Sequence, residues 1–464
     1  MRWRERVAPV PMRRVALVAP EAGLRDLLAT VADLGVVELE EAPEEHDGEV
    51  VEAARRLEQA RPEVRRAAAR LAAAAPDAAA LERAGAWDLL AGEAQLQRRA
   101  AVAVRRRSTA VLAGWTPEPA VETLAARLAP LGGVVVTLPR PAWIEPPTLL
   151  PHSPGSEQFQ PLVDTYGTAR YRDVDPTPFA AASFVLMFGM MFADVGHGLL
   201  LALLGVLTRV VPDRRLAALR RVWLLPVAAG LSAACFGLLY GEAFGPTGLV
   251  RPLWLEPLSD PVRLLFAGVV VGCGLLALSY GLGTVNRWRE SGPWTALLAG
   301  AGGAGLALFA GACMGVAGWA LALPPLAWAG LAVAGAGLAL LATGLLLDAG
   351  PGAAGIAQTI VELFDAVIRL ATNAISFARL AAFGMVHAAI GVVVWSGTVA
   401  LLARGLGWAT AGVVLFAAGN ALAFALEGLI AGVQALRLEY YELFSKIFAG
   451  EGRRFRPWHL EVGP

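Results

Sequence analysis

The chain has 464 residues, 56% of them apolar, a formal net charge of zero and a mean hydropathy of +0.55. A hydropathy this high exceeds what a soluble domain of this size needs. No basic stripe with interleaved aromatic residues is present, so nucleic acid is not an expected partner. Residues 1–175 are rich in Arg, Glu and Ala, whereas the rest is dominated by Leu, Ala, Gly and Val. We therefore predict a cytoplasmic soluble domain over 1–175 and a transmembrane domain over 176–464.

Two segments of the first domain predict a strand, a helix and a strand in succession, at 14–42 and again at 108–139. The Ala- and Arg-rich stretch between them, with breaks at Pro62 and Pro76, predicts a helical hairpin. Together they predict an N-terminal α+β fold, a ferredoxin-like lobe with a helical hairpin arm. Because this part has no glycine phosphate loop, metal cluster or nucleophile pattern, we expect a docking platform without cofactor, metal or ATPase activity of its own.

The second domain predicts an all-α polytopic membrane fold of about eight helices, because runs of about twenty apolar residues span a bilayer. The sequence ADVGHG interrupts the first run and predicts a turn in which hydrogen bonds of Asp194 and His197 hold a hairpin of two short helices. Cys235, Cys273 and Cys313 stand singly in apolar runs and are expected to be small packed residues. The predicted elements are the hairpin 178–210 and spans at about 222–241, 262–286, 294–321, 326–347, 357–403 and 408–448.

The distribution of arginines predicts the orientation of these helices. Clusters of Arg lie at 209–221, 287–289 and 453–456, whereas the opposite loops hold only Arg251 and Arg404. Because loops on the cytoplasmic side carry the excess of positive charge, we expect both termini in the cytoplasm. The first residues are charged, so we also expect no cleavable signal peptide.

Polar residues recur on one face of each of the last two predicted helices, although ionisable groups inside a membrane are costly. Arg379 and Arg437 are permanent positive charges that can keep an opposing carboxylate ionised, but cannot relay protons themselves. A structural ion pair with Asp365 or Glu427 is the alternative. The full set of expected ion-translocation and supporting polar residues is Arg379, Arg437, Glu427, His387, Asp365, Glu362, Asn373, Ser376, Gln434, Asp194 and His197.

The positions of the carboxylates predict two offset aqueous half-channels. With the orientation above, Asp365 lies about 21 Å to the cytoplasmic side of Arg379, and Glu427 lies about 15 Å to the opposite side of Arg437. Glu362 and Asp365 would then line the inner half-channel, and His387 and Glu427 the outer one. A reversed topology would exchange these assignments.

Four ordered motifs resemble a known family. They are DPTPFAAASFVLMFGMMFADVGHG, LYGEAFG, SFARLAAFGMVHAAI and LEGLIAGVQALRLEYYELFSKIFAGEGRRFRPW. All four resemble the membrane domain of the a/I subunits of V/A-type rotary ATPases, the family of the V-ATPase 116 kDa subunit, in a short prokaryotic form. Arg379, His387, Glu427, Arg437 and Lys446 match the motif residues of that family.

The resemblance implies a stator in a prokaryotic cell membrane, beside a rotating ring of c-type proteolipid subunits. Arg379 and Arg437 would keep the arriving ring carboxylate ionised. Peripheral stalk subunits of the E/G type, a central-stalk d-type subunit and the lipid bilayer are the other implied partners. The soluble domain is about half the usual length for the family, and Asp365 stands where Glu is common. Protons are the expected ion, although sodium and the direction of the reaction are left open.

Two other functions agree with parts of the pattern. A secondary transporter also places charges at mid-membrane, but it should show an internal repeat with paired broken helices. A membrane scaffold without transport would leave two costly arginines without a role.

Overall fold

The computed structural model describes residues 9–40, 52–59, 69–72, 74–141, 143–151, 155–211, 213, 217–350, 352–448 and 450–462. The chain divides into two compact units, Met1–Pro151 with Gly452–Pro464, and His152–Glu451. The first unit is a small α/β region, and the second is mostly helical. The functions assigned above to residues 1–175 and 176–464 stay predictions.

The first unit is built on an antiparallel sheet with the strand order β2-β5-β1-β6, and β4 also pairs with β5. One helix connects β1 to β2, and these two strands lie on either side of β5. A second helix connects β5 to β6, which lie on either side of β1. This is the split β-α-β arrangement. Buried Leu28 and Val31 of the helix Leu24–Leu34 and Leu124 of the helix Val121–Leu128 belong to the core of this unit. The strands are β1 Met12–Pro20, β2 Glu38–Leu39, β3 Arg70–Leu71, β4 Val104–Arg106, β5 Thr109–Pro117, β6 Val134–Thr137 and β7 Glu461–Val462.

In the part of the expected helical arm that the structure describes, there are three helices and one short strand. The helices Glu52–Gln59, Ala78–Arg83 and Trp87–Ala101 share a small apolar cluster that includes Ala53, Leu81 and Leu90. The strand β3 interrupts the helices and pairs in parallel with β7 near the end of the chain. Pro62 lies outside the described residues. The helices of this unit are α1 Leu24–Leu34, α2 Glu52–Gln59, α3 Ala78–Arg83, α4 Trp87–Ala101 and α5 Val121–Leu128.

Among the described residues of the second unit, five helical segments are long and apolar enough to cross a membrane. Three shorter apolar helices precede them, and the number of membrane helices, about eight, stays a prediction. Large apolar side chains such as Phe364 (68% exposed) and Val393 (70% exposed) cover the outer surfaces, as lipid contact requires. The helices are α6 Gln160–Asp164, α7 Thr177–Met191, α8 Val195–Val210, α9 Ala217–Arg220, α10 Leu224–Tyr240, α11 Pro261–Ser291, α12 Pro293–Leu298, α13 Gly303–Ala320, α14 Pro324–Ala349, α15 Ala353–Ser376, α16 Ala378–Leu402, α17 Leu406–Leu438 and α18 Ser445–Ile447.

The long helical segment expected over 357–403 is divided into two helices, α15 and α16. Phe377 separates α15 from α16, and its side chain is fully buried against Gly272 of α11. A Cβ on Gly272 would lie 2.0 Å from the Phe377 ring, so only glycine leaves room for that ring. This contact fixes the position of the interruption, two residues before Arg379.

The last long helical segment changes from α-helical to π-helical geometry near its end. Helix α17 continues from Leu438 into a π-helical turn over Glu439–Phe444, and α18 follows. Single π turns inside longer helices are frequent at functional sites. The turn buries Glu439 and Glu442.

Two of the three cysteines are not isolated. The thiols of Cys273 in α11 and Cys313 in α13 lie within hydrogen-bonding distance, whereas Cys235 is exposed on α10. The two partly buried thiols thus contact each other across a helix interface.

Candidate functional site: two polar groups on the last long helices

A histidine–carboxylate cluster, consisting of Asp194, His197, His387 and Glu427, lies where α8, α16 and α17 meet. Asp194 caps the N-terminus of α8: its Oδ1 accepts a hydrogen bond from the His197 N–H at 2.8 Å. Its Oδ2 accepts another from the Gly245 N–H at 2.9 Å. Both bonds are of the kind that the predicted turn requires, and they fix the carboxylate between two backbone segments.

His387 connects the two carboxylates of this cluster. Its Nδ1 is hydrogen-bonded to Glu427 of α17, and its Nε2 lies 3.9 Å from Asp194 Oδ2. His387 is 5% exposed and Asp194 is 0% exposed. Two residues that the sequence predicted in different roles, the turn residue Asp194 and the channel residue His387, are therefore neighbours.

Phenylalanine side chains surround the histidines of the cluster. Phe192 contacts His197 and His387, with centroid distances of 5.8 and 5.3 Å, and Phe424 contacts His197 at 5.9 Å. These rings exclude water from one side and leave a low-dielectric surrounding, in which charge interactions are strong. On the other side, a cavity of about 270 Å³ between α16 and α17 has His387 and Glu427 in an otherwise mostly apolar wall.

Glu242, in the loop after α10, is a further carboxylate that the sequence analysis did not name. It is 5% exposed, its Oε2 has no hydrogen-bond partner among the described residues, and it interacts electrostatically with His387, Asp194 and Glu427. The motif LYGEAFG contained this residue, but nothing in its spacing indicates which helices the loop contacts. Its proximity to the cluster therefore follows from the tertiary fold alone.

A second set, the arginine group, consists of Ser376, Arg379, Arg437 and Glu442. Glu442 lies near Ser376, whose hydroxyl donates to the Thr372 carbonyl oxygen at 2.9 Å, and it interacts electrostatically with both guanidinium groups. Arg379 is half-buried and one of its terminal nitrogens has no hydrogen-bond partner among the described residues, whereas Arg437 is exposed. No ion pair within 4.0 Å joins either arginine to a carboxylate in the part of the chain that the structure describes.

The π-helical turn explains why α-helical spacing did not reveal Glu442. In a regular α-helix, residues five apart lie about 140° from each other around the axis. The wider i→i+5 turn brings Glu442 to the side of the helix that interacts with Arg379 and Arg437. The motif letters contained this glutamate, but its role depends on the local winding.

The two groups occupy different heights on the same pair of helices. Arg379 and His387 are eight residues apart on α16, about 12 Å along the axis. Glu427 and Arg437 are ten residues apart on α17, about 15 Å. The histidine–carboxylate cluster and the arginine group therefore lie one after the other along the interface between α16 and α17.

The remaining predicted residues lie apart from both groups. Asp365 pairs with Arg369 on an exposed face of α15, with Arg369 Nε 2.7 Å from the carboxylate. Glu362 accepts a hydrogen bond from Gln358 at 2.8 Å. Gln434 has a buried side-chain oxygen without a partner among the described residues, and no described contact joins Asn373 to either group.

A polar junction outside the membrane-spanning helices precedes α7. Asp173 is 2% exposed, and the neighbouring Arg170 forms an ion pair with Glu290 at 3.3 Å. Burial, and then the negative charge of Glu290, raise the pKa of Asp173 to about 7. The carboxyl group is therefore poised to take up a proton near neutral pH.

The known proteins that this chain resembles include subunits of A- and V-type ATPases or ATP synthases. The model of the V-type ATPase 116kDa subunit family matches residues 100–223. An A-type ATP synthase subunit I of Archaeoglobus fulgidus is 28% identical over 404 residues, covering 75% of this chain and 58% of the relative. One from Pyrococcus horikoshii is 25% identical over 380 residues, covering 76% and 54%. A V-type ATP synthase subunit I 2 of Treponema pallidum is 36% identical over 160 residues, covering 32% and 35%.

These matches confirm the resemblance that the sequence motifs indicated: the chain is a relative of the subunit I proteins of A- and V-type ATP synthases. It spans little more than half the length of the two archaeal relatives.

Proposed function

We propose that this relative of subunit I is the stator membrane subunit of a V/A-type rotary ATPase or ATP synthase. In this role it is a multi-pass membrane protein that conducts ions, with protons as the expected ion, past a rotating ring of proteolipid subunits. The observation that carries the proposal is the pairing of the histidine–carboxylate cluster with the arginine group on α16 and α17. Charged groups at two heights of membrane-spanning helices are costly unless they serve a partner or a water path.

The arginine group would act on the carboxylate of an approaching ring subunit. Arg437 is exposed and can donate hydrogen bonds to an approaching acceptor. Arg379 is half-buried, and one of its terminal nitrogens is buried without a hydrogen-bond partner among the described residues, so its charge would act on that acceptor from within the helix interface. Each positive charge stabilises the ionised form of that carboxylate and repels a free cation, which prevents direct leakage. Glu442 would compensate the two positive charges while no ring carboxylate faces them.

The cluster would carry ions between the outer half-channel and the ring. His387 and Glu427 line a cavity, and His387 also approaches Asp194, so a proton can be passed among these groups by imidazole and carboxylate. Glu362 and Asp365, near exposed α15 surfaces, are proposed to line the inner half-channel. The first unit would dock on E/G-type peripheral stalks and a d-type subunit.

The test is ATP-driven ion pumping by the reconstituted whole complex, comparing wild type with Arg379→Ala and Arg437→Ala. Both variants should lose pumping while the complex still assembles. Arg263→Ala is the matched control, because its side chain is 78% exposed at the start of α11 and far along the chain from both groups. Normal pumping by both arginine variants would refute the mechanism, and failure to copurify with a c-type proteolipid would refute the stator assignment.

A further inference from the structure

Three buried side chains of the histidine–carboxylate cluster have the composition of a transition-metal site, although the sequence predicted none. Asp194, His197 and His387 each offer a ligand atom, and these atoms lie within 4.8 Å of one another. Their exposed fractions are 0%, 2% and 5%. Two imidazoles and one carboxylate form the donor set that Zn²⁺ takes in sites with three protein ligands and one open position.

The distances between these atoms are long for hydrogen bonds and close to the edges of a zinc tetrahedron. His197 Nδ1 lies 3.7 Å from Asp194 Oδ1, and His387 Nε2 lies 3.9 Å from Asp194 Oδ2. Hydrogen bonds between nitrogen and oxygen span about 2.7–3.2 Å. Ligands about 2.1 Å from a tetrahedral zinc ion stand about 3.4 Å apart. The two distances above end on different oxygens of Asp194, and the three ligand atoms lie within 4.8 Å of one another, so the side chains would close by at most about 1.4 Å to complete the site.

The unpaired ring of His197 is a second, independent observation that points to a bound cation. It is buried, yet neither of its ring nitrogens makes a hydrogen bond within the part of the chain that the structure describes. The backbone of Asn420 lies near the ring but without hydrogen-bond geometry. Buried polar groups normally have partners, so a buried imidazole beside a carboxylate without a hydrogen bond of its own is a strong candidate for a metal ligand.

The surroundings orient the three donors as the outer shell of a metal site does. Glu427 holds Nδ1 of His387, which leaves Nε2 directed at Asp194. A carboxylate on the far nitrogen of a ligating histidine is the usual outer-shell partner of zinc. The backbone N–H groups of His197 and Gly245 hold Asp194.

We propose that Asp194, His197 and His387 bind a divalent transition-metal cation of the Zn²⁺ type, which enters through the cavity lined by His387 and Glu427. An occupied site withdraws His387 from ion transfer, so the cation inhibits translocation. The binding follows from the geometry alone, whereas the inhibition rests on the proposed function.

Binding is tested on the purified full chain, stripped with a chelator and then equilibrated with Zn²⁺ alone. We expect one zinc ion per chain and an X-ray absorption spectrum with imidazole ligands. His197→Gln should weaken binding at least tenfold, whereas His197→Cys, which keeps a zinc ligand, should retain it. His459→Gln, which changes a histidine of the other unit, is the matched control. Absence of stoichiometric zinc in the wild type, or equal binding by His197→Gln, overturns the site.

Inhibition is tested separately in the reconstituted complex. Micromolar Zn²⁺ should reduce ATP-driven pumping by the wild type, EDTA should restore it, and His197→Gln should need at least tenfold more Zn²⁺. ATP hydrolysis by the detached soluble head controls for effects elsewhere. Zinc bound at the site with unchanged pumping overturns the inhibition. The proposed function fails by a different result, normal pumping by the Arg379 and Arg437 variants.

Discussion

Glu442 is the residue whose position depends most on local winding, and it provides a test of the arginine group. It is 7% exposed and interacts with Ser376, Arg379 and Arg437. Glu442→Gln keeps the size of the side chain but leaves two positive charges without their compensating carboxylate. We expect ATP-driven pumping to fall roughly tenfold, corresponding to about 1.4 kcal/mol of lost interaction, while assembly is retained.

The control for this variant is Glu451→Gln, which removes an exposed carboxylate from the following segment. Pumping by Glu451→Gln should match that of the wild type. Equal pumping by the wild type and both variants would show that Glu442 does not support the arginines.

Asp173 is a second residue that provides a test, because its ionisation should make the stability of the folded chain depend on pH. Burial and the charge of Glu290 raise its pKa from an ordinary 3.8 to about 7. The folded chain therefore holds a proton that the unfolded chain has lost between about pH 4 and pH 7. The contribution of this proton to stability is complete below about pH 4 and is lost as pH rises to about 7, by at most about 1.4 kcal/mol per pH unit.

Thermal unfolding of the detergent-solubilised chain measures this effect. The Tm of the wild type should fall more between pH 5 and pH 7 than that of Asp173→Asn, and the two curves should run parallel above pH 8. An identical pH dependence of the two proteins would exclude Asp173 as the titrating group.

At the scale of elements, the interruption between α15 and α16 fixes the height and direction of Arg379. The buried Phe377 ring sets this interruption because it occupies the space that Gly272 leaves open on α11. Gly272→Ala introduces a Cβ where the Phe377 ring now lies and should displace the start of α16. We expect a loss of pumping of at least severalfold, measured on complexes with unchanged subunit content.

Gly274→Ala is the matched control on the same helix, because a Cβ at that position meets nothing within 4 Å. Alanine favours a helix over glycine by about 1 kcal/mol, so this change should leave pumping intact and the chain at least as stable. If the two alanine variants pump equally, the Phe377 contact does not position Arg379.

At the scale of the whole molecule, the distribution of arginines predicts which ends of the helices face the cytoplasm. Arg251 and Arg289 are both exposed but are expected on opposite sides of the membrane. In a background without the three native cysteines, Arg289→Cys should react with an impermeant maleimide only from the cytoplasmic side, and Arg251→Cys only from the outside. The reverse labelling would exchange the two half-channel assignments, and labelling of both from one side would refute the topology.

The amino-acid sequence determined the elements whose signal is local. Apolar runs of sufficient length predicted the membrane-crossing helices, and the repeated β-α-β pattern predicted the strands and helices of the first unit. The turn at Asp194 was also predicted, because Asp and Gly within an apolar run indicate a cap and a break. Hydrogen bonding within a segment and the burial of one of its faces depend on neighbouring residues, so these features can be inferred from short stretches of sequence.

Only the tertiary structure decided which polar groups meet. Asp194 and His387 are far apart in the chain, and the packing of α7, which ends just before Asp194, against α16 and α17 brings them together with Glu427. Asp365, predicted to line the inner half-channel, pairs with Arg369, one turn along its own helix, and its role in a channel stays a prediction. Glu442 approaches Arg379 and Arg437 through a π turn that the spacing of residues does not reveal. Helical periodicity predicts which residues share a face of one helix, whereas contacts between helices depend on their packing, kinks and winding, which the whole fold determines.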